Sequence, residues 1–163
     1  THVAGVHIYE TSILPAWIDY NGHLRDAYYA VILSYAADAL MDRLRMDAAY
    51  RRRSGCTLYT AEMHIHYLRE VRETDTAAVT VYILGADHKR IHAGFELRRA
   101  AAEEPAATAE LMLLHVRQGA TPATEPFPPE VAAALAELQS AATAQSFPGP
   151  RSRPLSLRGG ARG

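Results

Sequence analysis

The residues best suited to chemistry lie together in Trp17-Ile18-Asp19-Tyr20-Asn21-Gly22-His23-Leu24-Arg25-Asp26-Ala27-Tyr28-Tyr29. A carboxylate, an amide, a glycine and an imidazole fall between Asp19 and His23, just ahead of a long apolar stretch. A loop that only turned the chain has no use for the aromatics, and one that only packed has no use for the carboxylate. An ordinary aspartate is ionised at neutral pH, so Asp19 can serve as nucleophile or general base. The first N–H groups of a helix have no partners within it and can stabilise a developing oxyanion. Together these point to acyl transfer or hydrolysis.

The elements that must position this segment follow from hydropathy. Val3 to Tyr9 reads as a short strand, Pro15 breaks the pattern, and Asp19 to His23 forms a loop. From Asp26 to Met46, apolar residues recur at Tyr29, Leu33, Ala36, Leu40 and Leu44, one face of a helix with Asp26 as a plausible N-cap. The flanks Val31, Ile32, Tyr35, Ala37 and Met41 are apolar too, which predicts a helix buried on most sides. Cys56 to Val71, Ala77 to Gly85, Ile91 to Arg99 and Thr108 to Arg117 read as strands. Ala86-Asp87-His88-Lys89 and Glu103-Glu104-Pro105 are the turn candidates among their connections. One long helix followed by consecutive strands is an α+β pattern with an antiparallel sheet of about five strands curved round the helix. A second helix is expected from Glu130 to Ala144, opened by Pro129 and packed on the surface. Residues 1–147 are expected to form one domain, and 148–163, rich in arginine and glycine, a flexible tail.

Within the strand from Leu58 to Leu68, strict alternation places Thr60, Glu62, His64 and His66 on one face. Tyr59, Ala61, Met63, Ile65 and Tyr67 fall on the other. Zinc normally takes three protein ligands in fixed geometry, and no companion pair with ligand spacing accompanies the two histidines. No metal and no redox cofactor are therefore expected, and these polar residues are assigned to a pocket or a solvated edge.

Bulk properties narrow the classes. The 163 residues suffice for one domain with a real core. A net charge of −1 supplies no field to gather nucleic acid or an anionic membrane, so neither is an expected partner. The single Cys56 excludes an intrachain disulfide. No apolar run approaches the ~20 residues of a membrane span, and no signal peptide is visible. A cytoplasmic protein is expected.

The pattern Asp-x-Asn-Gly-His-(Leu/Val)-x-(Asn/Asp)-x-x-Tyr, met by Asp19 to Tyr29, resembles the signature of hotdog-fold acyl-CoA thioesterases of the 4-hydroxybenzoyl-CoA type. Tyr59-Thr60-Ala61-Glu62-Met63-His64-Ile65-His66-Tyr67-Leu68-Arg69-Glu70-Val71 and Met112-Leu113-Leu114-His115-Val116 narrow the resemblance to thioesterases of carnitine breakdown that act on betainyl-CoA. It implies a hotdog fold, a homodimer or dimer of dimers, and an acyl-CoA substrate bound between subunits. It makes Asp19 the catalytic carboxylate, attacking the thioester or activating water. Gly22 and His23 would offer backbone N–H groups to the oxyanion, and His23 could instead hold the loop. Asn21 would orient Asp19 or water, or form an Asx turn. Relatives often carry Asn where this chain has Arg25. Trp17, Tyr20, Tyr28, Tyr29, Tyr59 and Tyr67, with Glu62, would bind the acyl group. Their rings suit a trimethylammonium group through cation–π attraction of about 0.5–2 kcal/mol per contact, with plain packing as the alternative for Tyr28, Tyr29 and Tyr67. Arg69, Lys89 and Arg90, with Arg72, would meet the phosphates of CoA. The rivals are a thioesterase for another short, medium or aromatic acyl-CoA, and a hotdog protein that binds acyl ligands without turnover.

Overall fold

The computed structural model describes residues 5–151, 153 and 155–157. Its strands are β1 (Val6–Ser12), β2 (Cys56–Tyr67), β3 (Thr76–Ala86), β4 (Arg90–Arg99), β5 (Pro105–Arg117) and the short β6 (Ala123–Thr124). Its α-helices are α1 (Asp26–Arg43), α2 (Ala48–Ser54) and α3 (Pro129–Ala141). The long strands form one antiparallel sheet in the order β1-β3-β4-β5-β2, and β6 pairs with the end of β5.

Period-two patterning sets the register. Val79, Leu97 and Ala107 lie in one row across β3, β4 and β5, and Val81, Phe95 and Ala109 in the next. All six are buried, and α1 lays Ile32, Leu33, Ala36 and Leu40 into the same core. Burying each large side chain of this kind stabilises the fold by about 1.5–3 kcal/mol. One long helix cradled by a curved antiparallel sheet is the hotdog arrangement.

Several expectations change. Helix α1 keeps a solvent face at Ser34, Tyr35, Asp38 and Asp42, so it is not buried all round within one chain. It ends at Arg43, short of Met46, before Arg45 adopts a positive φ of 66°. Arg25, in extended conformation, occupies the N-cap position, and Asp26 is the first helical residue. Helix α2 is additional to the expected elements; its periodicity is too short to read, but Asp47 caps it through the Tyr50 N–H and Gly55 closes it in the left-handed region. Strand β1 reaches Ser12, and the expected Val3 and Ala4 lie outside the described residues. Pro105 opens β5 rather than closing a turn. Helix α3 ends at Ala141 and buries Val131, Ala134, Leu135 and Leu138.

The largest correction concerns β2. The ladder between β2 and β5 shifts register between Thr60 and Glu62, leaving Ala61 as an extra residue. A bulge reverses the side-chain alternation beyond it. Thr60, opposite Leu113, therefore shares the helix-facing side with Met63, Ile65 and Tyr67. Tyr59, opposite Leu114, joins Glu62, His64 and His66 on the outer side.

The C-terminal residues cover that outer side farther along the sheet. The Phe147 ring lies 5.6 Å from that of Tyr82 and sits so close to Gly94 that a Cβ there would meet it at 2.8 Å. Gly149 abuts Thr108, and the Arg151 guanidinium lies 6.0 Å from the Phe147 ring. The expected flexible tail thus begins on the sheet, and residues 152, 154 and 158–163 of it lie outside the described residues. No helix among the described residues is long and apolar enough to cross a membrane.

Candidate active site

The loop ahead of α1 is built around the Asp19 side chain. Its Oδ1 accepts the N–H of Asn21 at 2.8 Å and that of His23 at 3.2 Å. The Asp19 N–H donates to the His23 carbonyl at 2.8 Å, and the Gly22 N–H to the Asp19 carbonyl at 3.0 Å. Gly22 completes this tight turn with φ of 81°, a conformation that disfavours any residue with a Cβ. The turn is then tied to the body: Leu24 N–H donates to Val71, and Arg25 N–H to Trp17.

These bonds also set the chemistry. The His23 N–H above all, together with the Asn21 N–H and the nearby His23 and Arg25 side chains, holds the Asp19 carboxyl below its ordinary value of 3.8, against an opposing effect of burial. Asp19 is an ionised carboxylate with one oxygen anchored and, among the described residues, Oδ2 uncommitted. It borders a cleft of about 530 Å³, together with Tyr20, His23, Asp26, Tyr29 and Tyr67. Leu24, Arg25, Leu68, Arg69 and Glu70 complete its wall.

One expectation about this loop is reversed. The Gly22 and His23 N–H groups are already donated to Asp19 and are not available to an oxyanion in this geometry. One available donor lies further on. Among the described residues the N–H of Asp26, first of α1, has no hydrogen-bond partner, and Asp26 borders the cleft. It also sits at the positive end of the helix dipole. The Asx turn here belongs to Asp19, whose side chain accepts the Asn21 N–H two residues on. Asn21 contributes its backbone N–H, and its side chain closes no Asx turn of its own among the described residues.

The aromatics separate into two groups. Tyr29 and Tyr67 meet edge to face with ring centroids 5.0 Å apart and planes at 86°. The Tyr29 hydroxyl donates to the Arg69 carbonyl at 3.1 Å, and that of Tyr67 to the Asp26 carbonyl at 3.1 Å. Burial, followed by the Tyr67 and Glu70 side chains, pushes Tyr29 up to about 12, so both groups act as neutral phenols at neutral pH. Tyr20 stands on the rim, 90% exposed. Trp17, by contrast, is only 9% exposed, belongs to the hydrophobic core and stacks on Tyr28 at 5.8 Å. Neither of these two borders the cleft, because packing against the core claims both rings. Tyr59 and Glu62 lie on the outer side of β2, with Glu62 facing a separate pocket shared with His64, His92 and Glu110.

The proposed phosphate contacts do not converge within one chain. The Arg69 N–H reaches Ala106, while Arg90 pairs with Leu114; along β5 these points lie about 26 Å apart. Arg69 directs its guanidinium to the Pro105 carbonyl at 3.2 Å and to Glu104 at 3.6 Å. Arg90 is held by Asp87 at 2.7 Å, and Lys89 lies in the same turn.

Sequence reasoning missed Asp26 as a donor and Glu70 altogether. Glu70 Oε2 lies 3.0 Å from His23 Nε2. No spacing rule could pair two residues so distant in sequence, although the bridge between His23 and Arg72 shows how the fold joins their segments.

A family model described as the thioesterase-like superfamily matches residues 13–135. The chain belongs to this superfamily. It is 43% identical over 140 residues to a betainyl-CoA thioesterase of Pseudomonas aeruginosa, covering 86% of this chain and 87% of that protein. It is 36% identical over 130 residues to an L-carnitine dehydrogenase/betainyl-CoA thioesterase of Rhizobium meliloti, covering 80% of this chain and 26% of that longer protein. Among solved structures, a candidate thioesterase of Pseudomonas putida KT2440 superposes with a TM-score of 0.77 at 37% identity, covering 97% of this chain and all of that one (100%). The fold also matches a Staphylococcus aureus protein solved with CoA, with a TM-score of 0.79 at 24% identity, covering 94% and 99% of the two chains.

Proposed function

We propose that this protein hydrolyses acyl-CoA thioesters and that betainyl-CoA is its substrate, with Asp19 as the catalytic carboxylate. The observation that carries the reading is the ionised, half-anchored Asp19 bordering a cleft in a chain of this superfamily. The likeness to the Pseudomonas aeruginosa enzyme over most of both chains supports the choice of acyl group.

Asp19 Oδ2 has two balanced routes. It adds to the thioester carbonyl, expelling CoA thiolate and leaving a mixed anhydride that water then hydrolyses. Alternatively it takes a proton from water as that water adds, and CoA leaves as the tetrahedral intermediate collapses. Both routes develop negative charge on the carbonyl oxygen. In this reading the Asp26 N–H, at the positive end of α1, receives it. The reading calls on no metal or redox cofactor.

The working unit in this reading is a dimer. Strand β2 runs over Cys56–Tyr67 at one edge of the sheet, and Tyr59, Thr60, Ala61 and Glu62 along it are exposed. An edge of this length without lysine or proline is normally paired or covered. Pairing with the same edge of a second copy satisfies its free N–H and C=O groups and brings a second chain to the cleft.

The test is CoA release, followed by thiol detection, from a panel of thioesters that includes betainyl-CoA, medium-chain and aromatic acyl-CoAs. Release that is fastest from betainyl-CoA supports the proposal. Binding without release of CoA from any member points instead to an acyl-ligand carrier.

A further inference from the structure

We infer that Glu70 and the ring of Tyr67 form the site that selects a cationic acyl group, an assignment that rests on the betainyl-CoA reading above. The argument begins with the length of the ligand. Standard bond lengths and angles put the nitrogen of a betainyl group about 2.5 Å from the thioester carbonyl carbon. Whatever recognises the charge must therefore border the same cleft as Asp19. Trp17 fails this condition because it is in the core, and Tyr59 because it is on the outer side of β2.

Tyr67 meets it. The ring is about half exposed, at 51%, and borders the cleft. Its hydroxyl is fixed to the Asp26 carbonyl, and its ring meets that of Tyr29 in an edge-to-face pair. A ring immobilised before binding offers its face with little further loss of side-chain freedom. Tyr29 supports it from behind and is itself buried. Tyr20 lacks any such restraint among the described contacts and stands in solvent.

Glu70 supplies the counter-charge. Its Oε2 is held by His23, the residue that closes the Asp19 turn, so the carboxylate is indexed to the catalytic loop. Arg69, its neighbour in sequence and the obvious cation to neutralise it, is drawn away by Glu104 and the Pro105 carbonyl. A quaternary ammonium has no N–H to donate. It can be recognised only by charge and by aromatic faces, and Glu70 and Tyr67 bring both to the cleft, where the other carboxylates are Asp19 and Asp26.

The experiment compares kcat/KM for betainyl-CoA with that for tert-butylacetyl-CoA, whose quaternary carbon replaces the nitrogen without changing shape. Wild type, Glu70→Gln and Tyr67→Leu are assayed after thermal melts have established that each is folded. Glutamine keeps an oxygen for His23 and removes only the charge. The preference for the cationic substrate should fall about tenfold in each variant. Equal losses on both substrates in Glu70→Gln would reduce that residue to a support for His23 and overturn the assignment. Undiminished preference in Tyr67→Leu would overturn the aromatic half of it. A wild-type enzyme that prefers the neutral substrate overturns the betainyl-CoA reading itself, a result visible before any variant is examined.

Discussion

Two groupings of histidine and carboxylate occupy different ends of this molecule and have opposite characters. At the cleft, His23 meets Glu70 beside the Asp19 turn. At the far end of β5, His115 is enclosed with Tyr50, Cys56 and Glu125. By residue type the His115 cluster is the better equipped for catalysis, since it holds a thiol, an imidazole and a carboxylate. Its hydrogen bonds argue otherwise. His115 Nδ1 lies 2.6 Å from the Glu125 carbonyl, which can only accept, so this nitrogen carries the hydrogen. Nε2 is 2.7 Å from the Tyr50 hydroxyl. Burial first, and then the hydrogen bond to Glu125, push the Cys56 thiol up, which keeps it protonated and a poor nucleophile. The Glu125 carboxylate is gripped by Arg117 at 2.8 and 2.9 Å. The cluster is internally satisfied and joins α2, β2 and β5. The cleft, by contrast, retains an uncommitted carboxylate oxygen and an unpartnered helix N–H among the described residues. What separates the two regions is which polar atoms have been left over, rather than which residue types are present.

The contrast can be broken most sharply at Asp19. Asp19→Asn keeps an oxygen for the N–H groups of Asn21 and His23 but removes the charge. CoA release should fall about 10²–10⁴-fold while the melting temperature barely moves. Near wild-type turnover in the folded variant would transfer the chemistry elsewhere. At the other end, His115→Ala should leave CoA release per folded molecule unchanged. It should cost about 2–4 kcal/mol in denaturant titration, because it opens a cavity and strands the Tyr50 hydroxyl and the Glu125 carbonyl. A specific loss of turnover there would make the two clusters functionally linked.

Smaller effects sharpen the same comparison. Gly22→Ala should cost about 1–2 kcal/mol of stability through its left-handed backbone, although an added Cβ meets nothing within 4 Å. Strain at that point displaces the Asp19 turn, so KM and kcat should both worsen. The smallest expected change is with pH. Because the Asp19 carboxyl is lowered from 3.8, its ionised form persists as pH falls through the ordinary aspartate range. Any stability it contributes is present above the unfolded value and is lost only as pH falls through the lower folded value. The kcat profile should therefore show no acid limb from Asp19 between about pH 8 and pH 5; a limb in that interval would identify a different titrating base.

Much of this was legible in order along the chain. The periodicity of Tyr29, Leu33, Ala36 and Leu40 located α1, and alternation in Ile91 to Leu97 located the core face of β4. The compressed motif from Asp19 to His23 drew attention to the loop that borders the cleft. Legibility failed at Ala61, where one extra residue reversed the faces of β2 and exchanged the surroundings of Tyr59 and Thr60. It failed at Trp17 as well, since closeness to Asp19 in sequence does not say whether a ring turns to the cleft or to the core.

The sequence by itself determined what depends on nearest neighbours. It determined the turn that Asp19 closes on its own backbone, the glycine that the turn requires, and the periodic faces of α1 and β4. These are local, because covalent geometry and short-range hydrogen bonds settle them within a few residues. Only the tertiary structure decided the partners of those elements: Glu70 beside His23, Tyr67 braced by Tyr29 and Asp26, and the Asp26 N–H left without a partner among the described residues at the cleft. Each joins segments far apart in the chain, or depends on which bonds such contacts have already used, and sequence spacing contains neither.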